Sequence, residues 1–103
     1  MTTDVSQSKR VRGAIVDMLY VRHQMQQSRV DHVQLWHMLR DIGHDIGEND
    51  AITQVQDLGD RGYLTFTSTR NRFTNRTSIT LIQLTARGRD LKEETIVDPA
   101  VQF

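Results

Sequence analysis

The chain of 103 residues is long enough for one domain, and its 37% hydrophobic residues can fill one modest core. It has no cysteine, which excludes disulfide bonds and thiolate metal sites. No apolar run approaches the roughly 18 residues that suggest a membrane span, and the N-terminal segment lacks the apolar stretch of a secretory signal. We therefore expect a cytoplasmic protein that does not enter membranes.

Charged residues are segregated along the chain, although the net charge is zero. The formal charge is +3 over residues 1–30, −6 over 31–60, +6 over 61–92 and −3 over 93–103. A neutral total disfavours a strongly basic nucleic-acid binder. The oppositely charged stretches either neutralise each other in the fold or form separate binding surfaces. Both interpretations are open for the N-terminal basic cluster of Lys9, Arg10 and Arg12.

The first half of the chain predicts a polar arm followed by two helices. Residues 1–8 are small and polar, which is typical of a mobile N-terminal arm. Apolar residues at steps of three and four predict a helix over residues 9–27. Asp31 is a suitable N-cap for a second helix over about residues 32–42. Apolar side chains cover more than one face of that helix, so we expect it to lie between two packing partners.

Two further helices are predicted on either side of a hairpin. The turn at residues 43–47 holds Ile46, which we expect to fill the gap between the second and third helices. The third helix begins near residues 48–50, and its apolar face is formed by Ile52, Val55 and Leu58. Thr85 is a suitable N-cap for a last helix over residues 86–95.

The hairpin between these helices consists of two β-rich segments, residues 63–69 and 77–84, around a basic tip at residues 70–76. Apolar residues fall on both faces of the strands instead of alternating with polar ones. One face carries Leu64, Phe66, Ile82 and Leu84, and the other carries Tyr63, Ile79 and Leu81. We therefore expect the second face to be covered as well, by the first helix, the last helix or a partner chain.

The order of helix, glycine, strand, basic tip, strand and helix resembles the second half of a winged helix-turn-helix domain. The motifs that carry the resemblance are Leu58 with Gly62-Tyr63-Leu64, and Leu84-Thr85 with Gly88 and Leu91. They are similar to the motifs of many bacterial winged-helix regulators, and they span about the last half of the chain.

The resemblance implies an α+β winged helix over residues 9–95, preceded by the arm at 1–8 and followed by a C-terminal tail at 96–103. Its expected parts are a three-helix core, a two- to three-stranded antiparallel wing sheet and an additional C-terminal helix. A brief strand at Arg29-Val30 would join the wing sheet. The function that we expect is regulation of transcription by a homodimer that binds double-stranded DNA.

The tip of the hairpin carries the sharpest binding signal in the chain. Arginine side chains bind phosphate oxygens and can enter a narrow minor groove, and asparagine can add further hydrogen bonds. The candidate DNA contacts of the wing are Arg70, Asn71, Arg72 and Arg76. The alternative is a solvated hairpin whose charges keep an exposed strand edge soluble.

The third helix would present its outward face to the major groove, because its apolar face points to the core. Gln and Asn can pair with adenine edges, and the candidate base-reading residues are Asn49, Thr53 and Gln54. Asp50 and Asp57 on the same face would repel phosphates. This acidic character supports an alternative function, a winged-helix module that binds another protein without binding DNA.

No catalytic or metal-binding signature stands out in the sequence. Ser28, Asp31 and His32 are neighbours along the chain, but Asp31 is better explained as a helix cap. A zinc site usually needs three or four converging ligands, and no clear partner completes the set of His37, Asp41 and His44. We therefore expect no enzymatic activity, no metal ion and no cofactor.

Overall fold

A computed structural model describes residues 5–25 and 29–103 of the chain. The fold is α+β, with four helices and a two-stranded antiparallel sheet within these residues. The elements in chain order are α1 (Val5–Gln24), α2 (His32–Asp41), α3 (Glu48–Asp60), β1 (Leu64–Arg70), β2 (Thr77–Leu84) and α4 (Ala86–Lys92). None of the helices in the described ranges has the length and hydropathy needed to cross a membrane.

Side-chain caps begin two of the helices where the sequence predicts them. The carboxylate of Asp31 accepts a hydrogen bond of 2.7 Å from the backbone N–H of Gln34 at the start of α2. The hydroxyl of Thr85 accepts one of 3.1 Å from the N–H of Gly88 at the start of α4. Each cap satisfies an amide that has no partner inside its helix, so both cap predictions are confirmed.

Two helix boundaries differ from the prediction. The first helix begins at Val5, so residues 5–8 of the predicted arm are helical, and Ser8 lies within hydrogen-bond distance of α3. The last helix ends at Lys92, before the predicted residue 95, because Glu94 takes a left-handed φ of 63°. A left-handed residue just past the last turn is a common helix stop. Residues 1–4 of the predicted arm and 26–28 of the predicted helix end lie outside the described residues.

A β-bulge determines which strand residues face the core. Thr65 pairs with Gln83 but Thr67 pairs with Thr80, so two residues of β2 oppose one residue of β1. Leu81, at the bulge, has a left-handed φ of 55°. The extra residue brings Ile79 to the core together with Ile82 and Leu84, and all three are buried. The prediction that the second apolar face of the hairpin is covered is therefore wrong for Leu81, which is 50% exposed.

The expected strand at Arg29-Val30 is confirmed in its shortest form, as a single β-bridge between Val30 and Ile82. Their backbones exchange two hydrogen bonds, from Val30 N–H to the Ile82 carbonyl at 3.2 Å and from Ile82 N–H to the Val30 carbonyl at 2.9 Å. The bridge attaches the segment that precedes α2 to the hairpin, and this contact holds the hairpin against the helices.

The helix α2 packs on several elements but keeps part of its apolar surface exposed. It contacts α1, α3 and β2, so the expectation of more than one packing partner is confirmed. Leu35 and Leu39 are buried in the core, but Val33 and the following Ile42 remain exposed, so part of its apolar surface is uncovered. Ile46 is buried in the turn between α2 and α3 as predicted. Its carbonyl accepts a hydrogen bond of 2.8 Å from the indole N–H of Trp36. Met38 of α2 and Ile42 just after it line a groove beside α1.

The C-terminal segment of residues 96–103 folds back onto α1. Val101 is buried, and the N–H of Gln102 donates a hydrogen bond of 3.0 Å to the carbonyl of Lys9. The guanidinium of Arg12 donates one of 2.8 Å to the carbonyl of Ala100. The backbone of this segment lies directly against Gly13, where a Cβ would overlap the Gln102 carbonyl oxygen. The segment therefore packs as part of the same core.

Candidate nucleic-acid interface

A groove runs between the outer face of α3 and the hairpin. Its volume is about 700 Å³, and its lining is mostly polar. It is lined by Gly47, Glu48, Asn49, Asp50, Ile52, Thr53, Gln56, Asn75, Arg76 and Thr77. The groove brings together three of the predicted contact residues, because Asn49 and Thr53 on α3 line it with Arg76 of the hairpin. Arg70, Asn71 and Arg72 lie further out, at the end of the hairpin.

Gln54 does not belong to this surface, and its predicted role in reading bases is wrong. Its side chain is 7% exposed and turned toward α1. The guanidinium of Arg12 donates a hydrogen bond of 3.0 Å to the Gln54 carbonyl oxygen, and the Gln54 amide donates one of 3.4 Å to the Ser8 hydroxyl. Ala51 is buried as well, and at a rotation of about 100° per residue it lies on the side of α3 that is closer to Gln54. The inward face of the helix therefore extends to Gln54.

Gln56, and not Gln54, lies on the outer face of α3. It is exposed and lines the groove. Its spacing of seven residues from Asn49 and three from Thr53 puts the three side chains on one helical face, and this spacing could have identified it. The hydroxyl of Thr53 donates to the carbonyl of Asn49 at 2.9 Å, so its oxygen remains available only as an acceptor.

The tip of the hairpin is shaped by Asn71. Its side-chain carbonyl accepts hydrogen bonds from the N–H groups of Phe73 at 2.8 Å and Thr74 at 3.2 Å. Its backbone N–H donates to the carbonyl of Arg76 at 3.0 Å, and its backbone carbonyl accepts from Asn75 at 2.8 Å. Asn75 closes the turn with a left-handed φ of 58°, a conformation that asparagine tolerates. The side-chain carbonyl of Asn71 is therefore used within the tip, which leaves its amide group as the side-chain donor for an external ligand.

The arginines of the hairpin differ in their surroundings. Arg70 and Arg72 are exposed, and neither forms an ion pair with any other residue in the described ranges. Arg76 forms an ion pair of 3.1 Å with the carboxylate of Glu48, although its side chain is 71% exposed. Exposed pairs of this kind contribute about 0–1 kcal/mol, so a phosphate can compete with Glu48 for Arg76.

A hydrogen-bonded chain links the hairpin to the starts of α2 and α3. The backbone N–H of Ile79 donates to Nδ1 of the buried His32 at 3.0 Å. The proton of His32 therefore lies on Nε2, which donates to Glu48 at 2.7 Å. This hydrogen bond, and after it the charge of Arg76, lowers the pKa of Glu48. His32 thus has a structural role, and the chain sets the position of the hairpin relative to α3.

The acidic character of α3 is partly neutralised within the chain. The carboxylate of Asp57 lies 2.8 Å from the guanidinium of Arg61 and 3.6 Å from that of Arg12. This contact decides the interpretation of Arg12, which pairs with the acidic middle of the chain instead of projecting as part of a phosphate-binding arm. Asp50 remains on the groove, so the surface that faces a ligand retains negative charge beside its amide groups.

The remaining candidate residues do not form a metal site in the part of the chain that the structure describes. No three His, Asp or Glu side chains within residues 5–25 and 29–103 are placed to hold a metal ion. The ring of His37 stacks on that of Trp36 with a centroid distance of 5.1 Å. Ser28 lies outside the described residues.

The fold and this surface define an α+β protein with an exposed, arginine-bearing hairpin beside an open helix face. The chain matches no protein-family model, no curated protein and no solved structure.

Proposed function

We propose that this chain is a winged-helix DNA-binding protein that regulates transcription. The observation that carries the proposal is the exposed pair Arg70 and Arg72 at the end of a hairpin that flanks the open face of α3. The order of the elements also supports the proposal, because α2, a short turn and α3 precede the hairpin, as in a helix-turn-helix followed by a wing. A cytoplasmic location and a homodimeric state belong to the same proposal.

In this proposal α3 enters the major groove and the hairpin follows the neighbouring backbone. The major groove is about 12 Å wide and admits one helix. Asn49, Thr53 and Gln56 would then face the base edges, where asparagine and glutamine can pair with adenine. Glu48 and Asp50 lie in the same groove and would oppose phosphates. We therefore expect weak base selectivity, with most of the affinity supplied by the arginines.

The salt dependence of DNA binding tests the role of the arginines. If Arg70, Arg72 and Arg76 each neutralise one phosphate, affinity for duplex DNA should fall about 40-fold between 50 and 200 mM salt, from a slope of about −0.9 per contact. The double variant Arg70→Ala/Arg72→Ala retains one contact, so the corresponding loss should be only about 3- to 4-fold. Fluorescence anisotropy of a labelled duplex measures both.

Arg40→Ala is the charge control for the single variant Arg72→Ala. Arg40 is exposed at the last turn of α2, where its guanidinium lies over the Trp36 ring, 5.5 Å from the centroid. Removing it changes the net charge equally without altering the hairpin. Equal losses of affinity for the two variants, or binding that does not weaken as salt rises, would contradict contact by the wing.

A protein-interaction module is the second candidate function, because an apolar groove of about 280 Å³ lies between α1 and α2. It is lined by Ala14, Asp17, Met18, Val21, Arg22, Met38 and Ile42. A second copy of the chain is the occupant that would also account for a homodimer. Sedimentation over a range of concentrations tests this: Val21→Asp should dissociate the dimer, whereas Val33→Asp, on an exposed position outside the groove, should not. A monomer at every concentration excludes the contact.

A further inference from the structure

Phe73 is the most exposed large hydrophobic residue in the described chain. Its side chain is 98% exposed at the tip of the hairpin, where no other apolar group shelters it. A phenylalanine can bury about 150–250 Å² when it finds a partner, and here that whole area faces water. A ring left in this position, beside exposed arginines, indicates that its partner lies outside the chain.

Hydrogen bonds of the tip hold the backbone of Phe73 in one conformation. The side-chain carbonyl of Asn71 accepts hydrogen bonds from the Phe73 and Thr74 N–H groups, and Asn75 closes the turn in a left-handed conformation. The backbone under the ring is therefore ordered before any ligand arrives. A preorganised backbone lowers the conformational entropy lost on binding, which favours a role in recognition over an accidental exposure.

We propose that Phe73 is a wedge that inserts between neighbouring base pairs from the minor groove of duplex DNA. This inference rests on the proposed DNA-binding function and specifies the class of DNA. Apolar side chains at the minor groove are used in this way to unstack a base step and bend the duplex. Arg72 directly precedes the ring in sequence, Arg70 lies three residues before it, and both are exposed with it, so phosphate contacts can hold the tip while the ring enters.

The hairpin is long enough for this insertion. Ile79, opposite Ser68, is the last buried residue of the hairpin, so Thr69, Arg70 and the exposed turn of residues 71–76 extend beyond the body. The two strand residues span about 7 Å at about 3.3 Å each, and the turn and the Phe73 ring add to this reach. The minor groove is about 7.5 Å deep, so the tip can reach its floor before the body of the protein meets the backbone. Duplex DNA fits better than a lipid surface, because the polar groove with Asn49, Thr53 and Gln56 beside the hairpin offers nothing to a bilayer.

The arginines and the ring predict opposite preferences among DNA sequences. Arginine favours the narrow, strongly negative minor groove of an A-tract. A wedge favours pyrimidine–purine steps such as TA, which unstack easily. Because base–aromatic stacking contributes substantially to affinity, we expect the wild-type protein to prefer a TA-step duplex over an A-tract duplex by about 5- to 20-fold.

Two 20-base-pair duplexes test the proposal, one with central TA steps and one with a central A-tract. Anisotropy measures affinity, and 2-aminopurine placed at a TA step reports unstacking as an increase in fluorescence. For Phe73→Ala we expect the TA preference to fall to parity or to reverse toward the A-tract, with no fluorescence increase. Phe73→Leu is the conservative control, because leucine also serves as a wedge, and it should retain both signals.

The outcomes separate this inference from the function on which it rests. If the wild-type protein binds neither duplex, the proposed DNA-binding function is wrong, and the wedge is wrong with it. If both duplexes bind with the expected salt dependence but Phe73→Ala leaves preference and fluorescence unchanged, the wedge alone is wrong. Binding to anionic lipid vesicles that depends on Phe73, without any effect of Phe73 on DNA, would assign the ring to a membrane surface and also overturn the proposal.

Discussion

Replacement of Gly13 tests how the C-terminal segment is held against the helices. In the interior of a helix such as α1, glycine is less favourable than alanine by about 1 kcal/mol. Gly13→Ala should therefore stabilise the helix if nothing else changes. The backbone at Gln102, however, crosses Gly13 so closely that the new methyl group would overlap the Gln102 carbonyl oxygen. We expect the variant to release residues 100–103 from α1.

The contacts of the segment limit the cost of its release. Burial of Val101 contributes about 2 kcal/mol, and the hydrogen bonds of Gln102 to Lys9 and of Arg12 to Ala100 together contribute about 2–3 kcal/mol. Ordering the four residues offsets about 3 kcal/mol of this, at about 0.8 kcal/mol each, the lower end of the range for backbone entropy. The net stabilisation by docking is then about 1–2 kcal/mol, slightly more than the helix gains from alanine.

The expected result is a change of sign between two backgrounds. In the full chain, Gly13→Ala should lower the free energy of unfolding by about 0.5 kcal/mol; in a chain that ends at Pro99, it should raise it by about 1 kcal/mol. Urea unfolding measures both values, and hydrogen exchange at the Gln102 amide reports docking directly. An equal gain in both backgrounds, with Gln102 still protected, would refute the packing of the segment on Gly13.

Two further predictions concern stability. Thr85→Ala should lower the free energy of unfolding by about 1–2 kcal/mol, because the hydroxyl caps α4 and also donates to the Gly62 carbonyl at 2.6 Å; Thr85→Ser, which keeps both bonds, should be nearly neutral in the same urea measurement. Asp98 has a lowered pKa because Tyr63 donates a hydrogen bond to its carboxylate, with the Ala100 N–H and Arg61 adding to the effect. Its contribution to stability should therefore be complete above the ordinary aspartate pKa of about 4 and lost as the pH falls through the lowered value in the folded state. Thermal unfolding between pH 6 and pH 3 should show this loss, and in Asp98→Asn the loss should be smaller; equal acid sensitivity of the two proteins would exclude the mechanism.

Local chemistry was sufficient to predict the order of the elements and several of their ends. The caps at Asp31 and Thr85 join a side chain to an amide three residues away, so their partners are visible in the sequence itself. The apolar spacing of α3 likewise predicted its buried residues Ile52, Val55 and Leu58. The basic tip of the hairpin could be predicted because a polar segment between two β-rich segments has few other conformations.

Contacts between distant residues decided the details of the candidate interface. Gln54 turns inward because Arg12, 42 residues away in the chain, donates a hydrogen bond to it. The pair of Arg76 with Glu48 and the bulge at Leu81 also depend on segments that meet only in the fold. Periodicity defines the faces of an element relative to its own axis. The rotation of that axis against its neighbours, and the register between two strands, depend on packing, and only the tertiary structure determined them for this protein.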